Sequence, residues 1–267
     1  MPPKIGPSII TSKVLASLRN YPNLPPHCWY LVAATTLAVL NQPHGIRDVY
    51  KYEVDQSGDD QRLFILRRMR EALIKASAVG GVPKTINALL SLKEVTPPEL
   101  LEEPGESSPT ERQRDIFETP PAKILGRGQT FFDKLYGRIS RRIMGQLDRS
   151  GTQDLGLAAR LVYGYLLSNL KVLSATETSF VLIAGLVPQD TGSLLREAQL
   201  VACLGFAKFV NPQLKGHLRG ALNNGATVEE VRAIRAVTVM ICEAYGMKRL
   251  PEDAVGGWGW REEVANV

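Results

Sequence analysis

Cysteine is scarce in this 267-residue chain, and Cys28, Cys203 and Cys242 are odd in number, widely separated and never part of a CxxC. That argues against a disulfide framework and for a reducing compartment. Imidazoles are equally few. His27, His44 and His217 stand apart from one another and from the cysteines, so neither a metal nor a cofactor is expected. Long apolar runs are missing too: the most apolar stretch, Trp29 to Leu40, has 12 residues including Thr35 and Thr36. A membrane-spanning helix needs about 20, so no transmembrane segment is expected. No segment alternates with period two between hairpin turns, which argues against a sheet protein.

Acidic residues are absent from Met1 to Arg47, while Lys4, Lys13, Arg19 and Arg47 are basic. This pattern resembles a mitochondrial transit peptide, and Ile10, Val14, Leu15 and Leu18 lie on one helical face as such a peptide requires. The same residues also read as an ordinary N-terminal helix, and both readings stay open. There is no secretory apolar region before Trp29, and the final Ala265-Asn266-Val267 is not a peroxisomal tripeptide. A mitochondrial location is expected, with the cytoplasm as the alternative.

The composition, 44% hydrophobic and 22% charged, is that of a globular protein. The formal charge of +5 is modest and no RNP, zinc-finger or basic-zipper pattern accompanies it, so no nucleic-acid partner is expected. Between Lys93 and Ala122 prolines interleave with Glu94, Glu99, Glu102, Glu103, Glu106, Glu111 and Glu118. Such a stretch cannot bury a core and reads as a linker over 96–122, with a disordered tendency from Thr96 to Pro109. It separates an N-terminal half (27–95, after a segment 1–26) from a C-terminal half (123–255, before a tail 256–267).

Both halves read as helix, giving an all-α fold. From Gln61 to Val79, Leu66, Met69, Leu73 and Ala76 recur at steps of three and four, with Arg67, Arg68, Arg70 and Lys75 falling mainly elsewhere. Gly80-Gly81 stops this helix and Pro83 opens the next, which runs through Ile86, Leu89, Leu90 and Leu92. Phe132, Leu135, Tyr136, Ile139 and Ile143 form an apolar stripe, and Lys134, Arg138, Arg141 and Arg142 a basic one that reads as a solvated face. A weak repeat joins the halves: Leu31-Val32-Ala33 is followed nine residues on by Gln42-Pro43, and Leu200-Val201-Ala202 by Asn211-Pro212 at the same offset.

The stretch after Asn211 carries the most information. Asn211-Pro212 breaks one helix and starts another at Gln213, which ends where Gly225 supplies a left-handed residue. Thr227 caps the following helix, and Glu230 completes a capping box ahead of Val231, Ile234, Val237, Met240 and Ile241. On the first of these helices Leu214, Leu218, Ala221 and Leu222 make the apolar face, His217 sits on its edge, and Lys215 and Arg219 point away. Gly216 and Gly220 leave a strip open to close approach. A histidine so placed is more often a satisfied structural residue than a catalyst, yet it is the one imidazole here with the makings of a pocket.

The run from Gln213 through His217 and Gly225 to Thr227 and Glu230 resembles the signature of the carboxymuconolactone decarboxylase and alkylhydroperoxidase AhpD-like superfamily. The resemblance covers residues 155–250, and residues 27–95 resemble the divergent N-terminal half of fungal, two-copy members. It implies an all-helical fold and a homo-oligomer. In the peroxidase branch a CxxC precedes the histidine, and a glutamate one helix earlier completes a proton relay. Here Val210 and Gln213 occupy the thiol positions, so peroxidase chemistry is not expected; Glu197 lies near the place of the relay glutamate. In the decarboxylase branch the histidine is retained, and Gln213 stands where glutamate is often found. Two function classes follow. One is a degenerate-site scaffold or assembly protein. The other is a thiol-independent enzyme acting on a small carboxylate or lactone, with His217 and Glu197 catalytic and Gln213 and Arg219 binding the substrate.

Overall fold

A computed structural model describes residues 9–102, 106, 108–190 and 211–247. Among these residues every regular element is helical and no strand occurs. The chain opens with α1 (Ser12–Arg19), whose first turn is capped by the Thr11 hydroxyl accepting from the Val14 N–H. It continues through α2 (Trp29–Val39), α3 (Pro43–Asp55), α4 (Arg62–Gly80) and α5 (Val82–Glu94). After a loop come α6 (Arg112–Phe117), α7 (Pro121–Tyr136), α8 (Ser140–Leu147) and α9 (Asp154–Leu161), which runs directly into a π-helical turn, Val162–Leu167. The described chain closes with α10 (Ala175–Leu186), α11 (Asn211–Asn223) and α12 (Val228–Ala244).

The apolar run noted in the sequence becomes α2, buried on all sides. Of its two polar side chains, the Thr36 hydroxyl donates to the Val32 carbonyl within the helix, at 2.8 Å, and the Thr35 hydroxyl is buried with no partner among the described residues. Helices α3, α4, α10 and α12 surround α2, and α10 in turn touches α4, α11 and α12. One continuous core therefore takes Leu31, Leu37, Met69 and Leu73 from the N-terminal half and Val181, Ile183, Leu214 and Ile234 from the C-terminal half. Each such side chain contributes about 1.5–3 kcal/mol on burial, so the halves read from the sequence stand or fall together.

Three local outcomes differ from what the pattern alone implies. The apolar stripe of α7 stops at Tyr136, because Gly137 takes φ +54 and breaks the helix; Ile139 beyond it is 46% exposed. The proline-rich segment is tied down through its charges: Glu102 receives both Arg67 and Arg70, and Thr96 and Thr110 are buried. Its residues Glu103, Pro104, Gly105 and Ser107 lie outside the described residues. Finally, Ile10 just ahead of the N-terminal helix and Leu15 and Leu18 within it are seated in the core, and Arg19 pairs at 3.0 Å with Glu53. These residues pack as an integral helix.

The basic stripe is solvated as expected, with Lys134, Arg138, Arg141 and Arg142 all exposed. Around the sequence repeat, α3 and α11 are each 13 residues long and each carries a proline in its first turn. The helices that follow them end at positive-φ glycines, Gly81 and Gly246. The second copy's Leu200-Val201-Ala202 lies outside the described residues.

Candidate functional site

Helix α11 carries His217, and the two glycines flanking it decide how it packs. A methyl group at Gly216 would come within 2.9 Å of the Tyr136 ring, and one at Gly220 would run into Leu135. Only glycine lets α11 lie this close to α7. The Asn223 side chain fastens the pair by donating to the Leu135 carbonyl at 2.8 Å. On the far side of α7 the π-helical turn makes a similar approach: Gly128 faces the backbone of Gly164, and a Cβ at Gly128 would fall 2.6 Å from the Gly164 Cα. That contact swings Tyr163 toward Tyr136. π-helical turns are uncommon and recur at functional sites.

These two close approaches assemble an aromatic box. Phe132, Tyr136 and Tyr163 meet at ring separations of 4.5–6.4 Å, and the His217 ring lies 5.9 Å from Tyr136. The Tyr163 and Tyr136 hydroxyls are 2.9 Å apart, and the Tyr136 hydroxyl is 3.4 Å from His217 Nε2. His217 Nδ1 is buried and has no hydrogen-bond partner among the described residues. Burial pulls the imidazole down from its ordinary 6.5 to about 4, so the ring is neutral at physiological pH. Burial likewise raises both phenols, Tyr136 and Tyr163, which keeps them protonated.

The other sequence-derived site residues do not gather here. Gln213 and Arg219 are exposed on α11, as is Lys215, whereas His217 is buried. The apolar face pulls His217 inward and leaves its polar neighbours in water. Glu197 lies outside the described residues, as does Cys203. The remaining thiols are buried, and desolvation pushes both Cys28 and Cys242 up to about 12, which removes the reactive thiolate.

A second polar centre escaped the sequence reading. Lys75, assigned to the polar side of α4, is wholly buried, as is Glu71 one turn earlier. The Lys75 ammonium donates to Thr178 Oγ1 at 2.7 Å and to the Leu167 carbonyl at 3.0 Å, with Glu71 3.8 Å away. Glu71 accepts a two-pronged bond from Arg112, at 2.7 and 2.6 Å. Earlier on α4, Arg68 donates to the Tyr30 hydroxyl at 2.9 Å and pairs with Glu177. Burial alone would raise the Glu177 carboxyl, but the Arg68 bond and charge together with the hydrogen bonds from Ser174 outweigh it and hold it low. Burial also lowers Lys75, from 10.5 to about 7. The only available signal was spacing: Arg68, Glu71 and Lys75 lie on one side of a helix whose neighbours, α2, α5 and α10, crowd it from several directions.

A cleft of about 350 Å³ opens between α4, α5 and the segment after Thr96, walled by Leu66, Ile74, Leu89 and Leu101 with Arg70 and Lys93 at its edge. It contains neither His217 nor Lys75. Among the described residues no group of three His, Cys, Asp or Glu side chains is placed to hold a metal ion, and no helix is long and apolar enough to cross a membrane.

Fold and site thus define an all-helical protein with a neutral histidine joined to two tyrosines, and with its two described thiols kept protonated. The chain belongs to the Peroxisomal protein 2 family. The protein of that name from Schizosaccharomyces pombe is 32% identical over 225 residues, spanning 84% of this chain and 90% of the relative. The one from Saccharomyces cerevisiae is 29% identical over 290 residues, 90% of this chain and 96% of the relative. No family model matches the chain, and no solved structure does. The relatives' name points to an organelle, as the N-terminal composition does, but to the peroxisome and not the mitochondrion.

Proposed function

We propose that this chain is a peroxisomal protein of the carboxymuconolactone decarboxylase-like, AhpD-like fold, built from two degenerate copies. In this reading it works without redox thiols on a small carboxylate or lactone through His217. The observation that carries the proposal is the unpartnered Nδ1 of a fully buried, neutral imidazole. A histidine retained for packing alone has its buried nitrogens bonded, because leaving one unmet costs about 1–3 kcal/mol. Here the orphaned nitrogen sits on a ring whose other nitrogen is in reach of a hydroxyl chain, as suits a group that meets a substrate atom. A neutral imidazole polarises a carbonyl by donating a hydrogen bond, so no imidazolium is required. The peroxisomal assignment rests on the relatives' name and is tested by co-localising a tagged protein with a peroxisomal marker.

The activity is tested with the full chain, comparing wild type and His217→Asn against unsaturated dicarboxylates and five-membered lactones. Turnover by wild type that falls about a hundredfold or more in the variant, with the unfolding transition retained, is the expected result. Turnover that is equal in both overturns the assignment to His217. The scaffold reading keeps one observation in its favour: Val82, Ile86 and Leu90 form an exposed apolar row along α5, at 50–60% exposure, of the kind that binds partners or further copies of the chain. Retained partner capture or oligomerisation in His217→Asn, with no turnover by either protein, would support it.

A further inference from the structure

The two tyrosines next to His217 have no role in the resemblance or in the family's name, and their hydroxyls leave few arrangements for the protons between them. In the first arrangement the Tyr163 hydroxyl donates to the Tyr136 oxygen, and the Tyr136 hydroxyl donates to His217 Nε2. The ring proton is then on Nδ1, and that N–H is the single donor left unused. In the second arrangement Nε2–H donates to the Tyr136 oxygen and the Tyr136 hydroxyl donates to the Tyr163 oxygen. Among the described residues the Tyr163 O–H then has no acceptor, and Nδ1 is a bare lone pair with no donor. Each arrangement makes two hydrogen bonds and leaves one donor and one acceptor unused, so what separates them is the strength of the bond at Nε2. A phenol O–H is a better donor than a neutral ring N–H, and an imidazole nitrogen a better acceptor than a phenol oxygen, so the first arrangement prevails.

We propose that Tyr136 and Tyr163 are positioning residues that hold His217 as its Nδ1–H tautomer, so that the ring offers a hydrogen-bond donor to a carbonyl or carboxylate oxygen of a small ligand. The frame that fixes them is local and specific: Tyr136 is the last residue of α7 before Gly137, and Tyr163 is delivered by the π-helical turn against Gly128. Neither phenol is asked to ionise. The proton is parked on the far nitrogen by hydrogen bonding alone, as happens when one ring nitrogen's partner sets the state of the other. The proposal rests on reading His217 as the group that meets substrate, but its test does not depend on turnover.

The test is nitrogen NMR of histidine-labelled protein, with His217→Asn used to assign the His217 signals. Wild type should show a protonated Nδ1 and an unprotonated Nε2. Tyr136→Phe removes the donor to Nε2 and should move the ring toward the Nε2–H form, whereas Tyr163→Phe, which only frees the Tyr136 hydroxyl to rotate, should give a smaller shift in the same direction. An Nε2–H ring in wild type overturns the proposal outright, even if Tyr136→Phe fails to fold. An unchanged ring in Tyr136→Phe removes the role of Tyr136, and an unchanged ring in Tyr163→Phe removes that of Tyr163. Because the readout is a proton position, it stands if the lactone and dicarboxylate screen finds no turnover, and it fails independently of that screen.

Discussion

Lys75 and His217 are both out of reach of water, yet the polar surroundings of the two are opposite. Around Lys75 the bonding is nearly complete: the ammonium has a hydroxyl, a carbonyl and a nearby carboxylate, and that carboxylate is itself gripped by Arg112. Around His217 it is partial, with one nitrogen 3.4 Å from a hydroxyl and the other unmet. A filled network that ties α4 to Thr178 of α10 and to the end of the π-helical turn is what a fold needs to hold its halves in register. An unfilled one gives the fold little and leaves bonding capacity for something else. Stability is therefore expected of the first centre, and chemistry is what is proposed for the second.

The largest effect that could break this contrast is at Glu71. Glu71→Ala strips the counter-charge from Lys75 and Arg112 at once and should cost about 3–5 kcal/mol, read as a lowered urea midpoint. A loss below about 1 kcal/mol would mean that the Lys75 centre is not structural.

The pH dependence sharpens the comparison. Lys75 titrates at 10.5 when unfolded and near 7 when folded, so between those values the unfolded chain holds the extra proton. Its contribution to stability is therefore present above pH 10.5 and is lost as pH falls toward 7, at up to about 1.4 kcal/mol per unit. His217 behaves in the same sense lower down. With an unfolded value of 6.5 and a folded one of about 4, its contribution is present above pH 6.5 and lost as pH falls through 4. Urea midpoints measured across both windows should lose the upper dependence in Lys75→Met and the lower one in His217→Leu. An unaltered curve in either variant contradicts the corresponding assignment.

Smaller effects test the frame. Gly220→Ala drives a methyl group into Leu135 and should cost about 1–3 kcal/mol by overpacking, with the same change at the open Gly126 nearly silent. Cys28 and Cys242 should resist a thiol reagent in the native protein, labelling about a thousandfold more slowly than in urea, since burial suppresses the thiolate. Rapid native labelling of either would reopen thiol chemistry.

Local devices were legible in the sequence because their signals are local. Thr227 and Glu230 form the expected capping box, Gly225 takes φ +100 where α11 ends, and the apolar face of α11 buries Leu214, Leu218 and Ala221. A second capping box, Ser174 with Glu177, has the same spacing and opens the apolar α10, and it went unread although its signal is equally local. Long-range charge pairing was not legible. The arginines of α4 read as falling mainly off its apolar face and the acids after Thr96 as a disordered linker, but Glu102 answers Arg67 and Arg70. No periodicity announces partners about 30 residues or more apart, and the Arg68–Glu177 pair is 109 residues apart. The same holds for the site: His217 could be picked out on its helix, but Tyr136 and Tyr163 reach it only through two glycine contacts between separate helices.

The most direct measurement sets His217→Leu beside Glu71→Ala in equilibrium urea unfolding at pH 7. Leucine is close to histidine in volume and removes the unmet nitrogen, so it should leave stability within about 1 kcal/mol of wild type, several-fold less than the loss from Glu71→Ala. A loss of about 3 kcal/mol or more in His217→Leu, matching Glu71→Ala, would show the imidazole to be a structural member of the core and would contradict the assignment of chemistry to it.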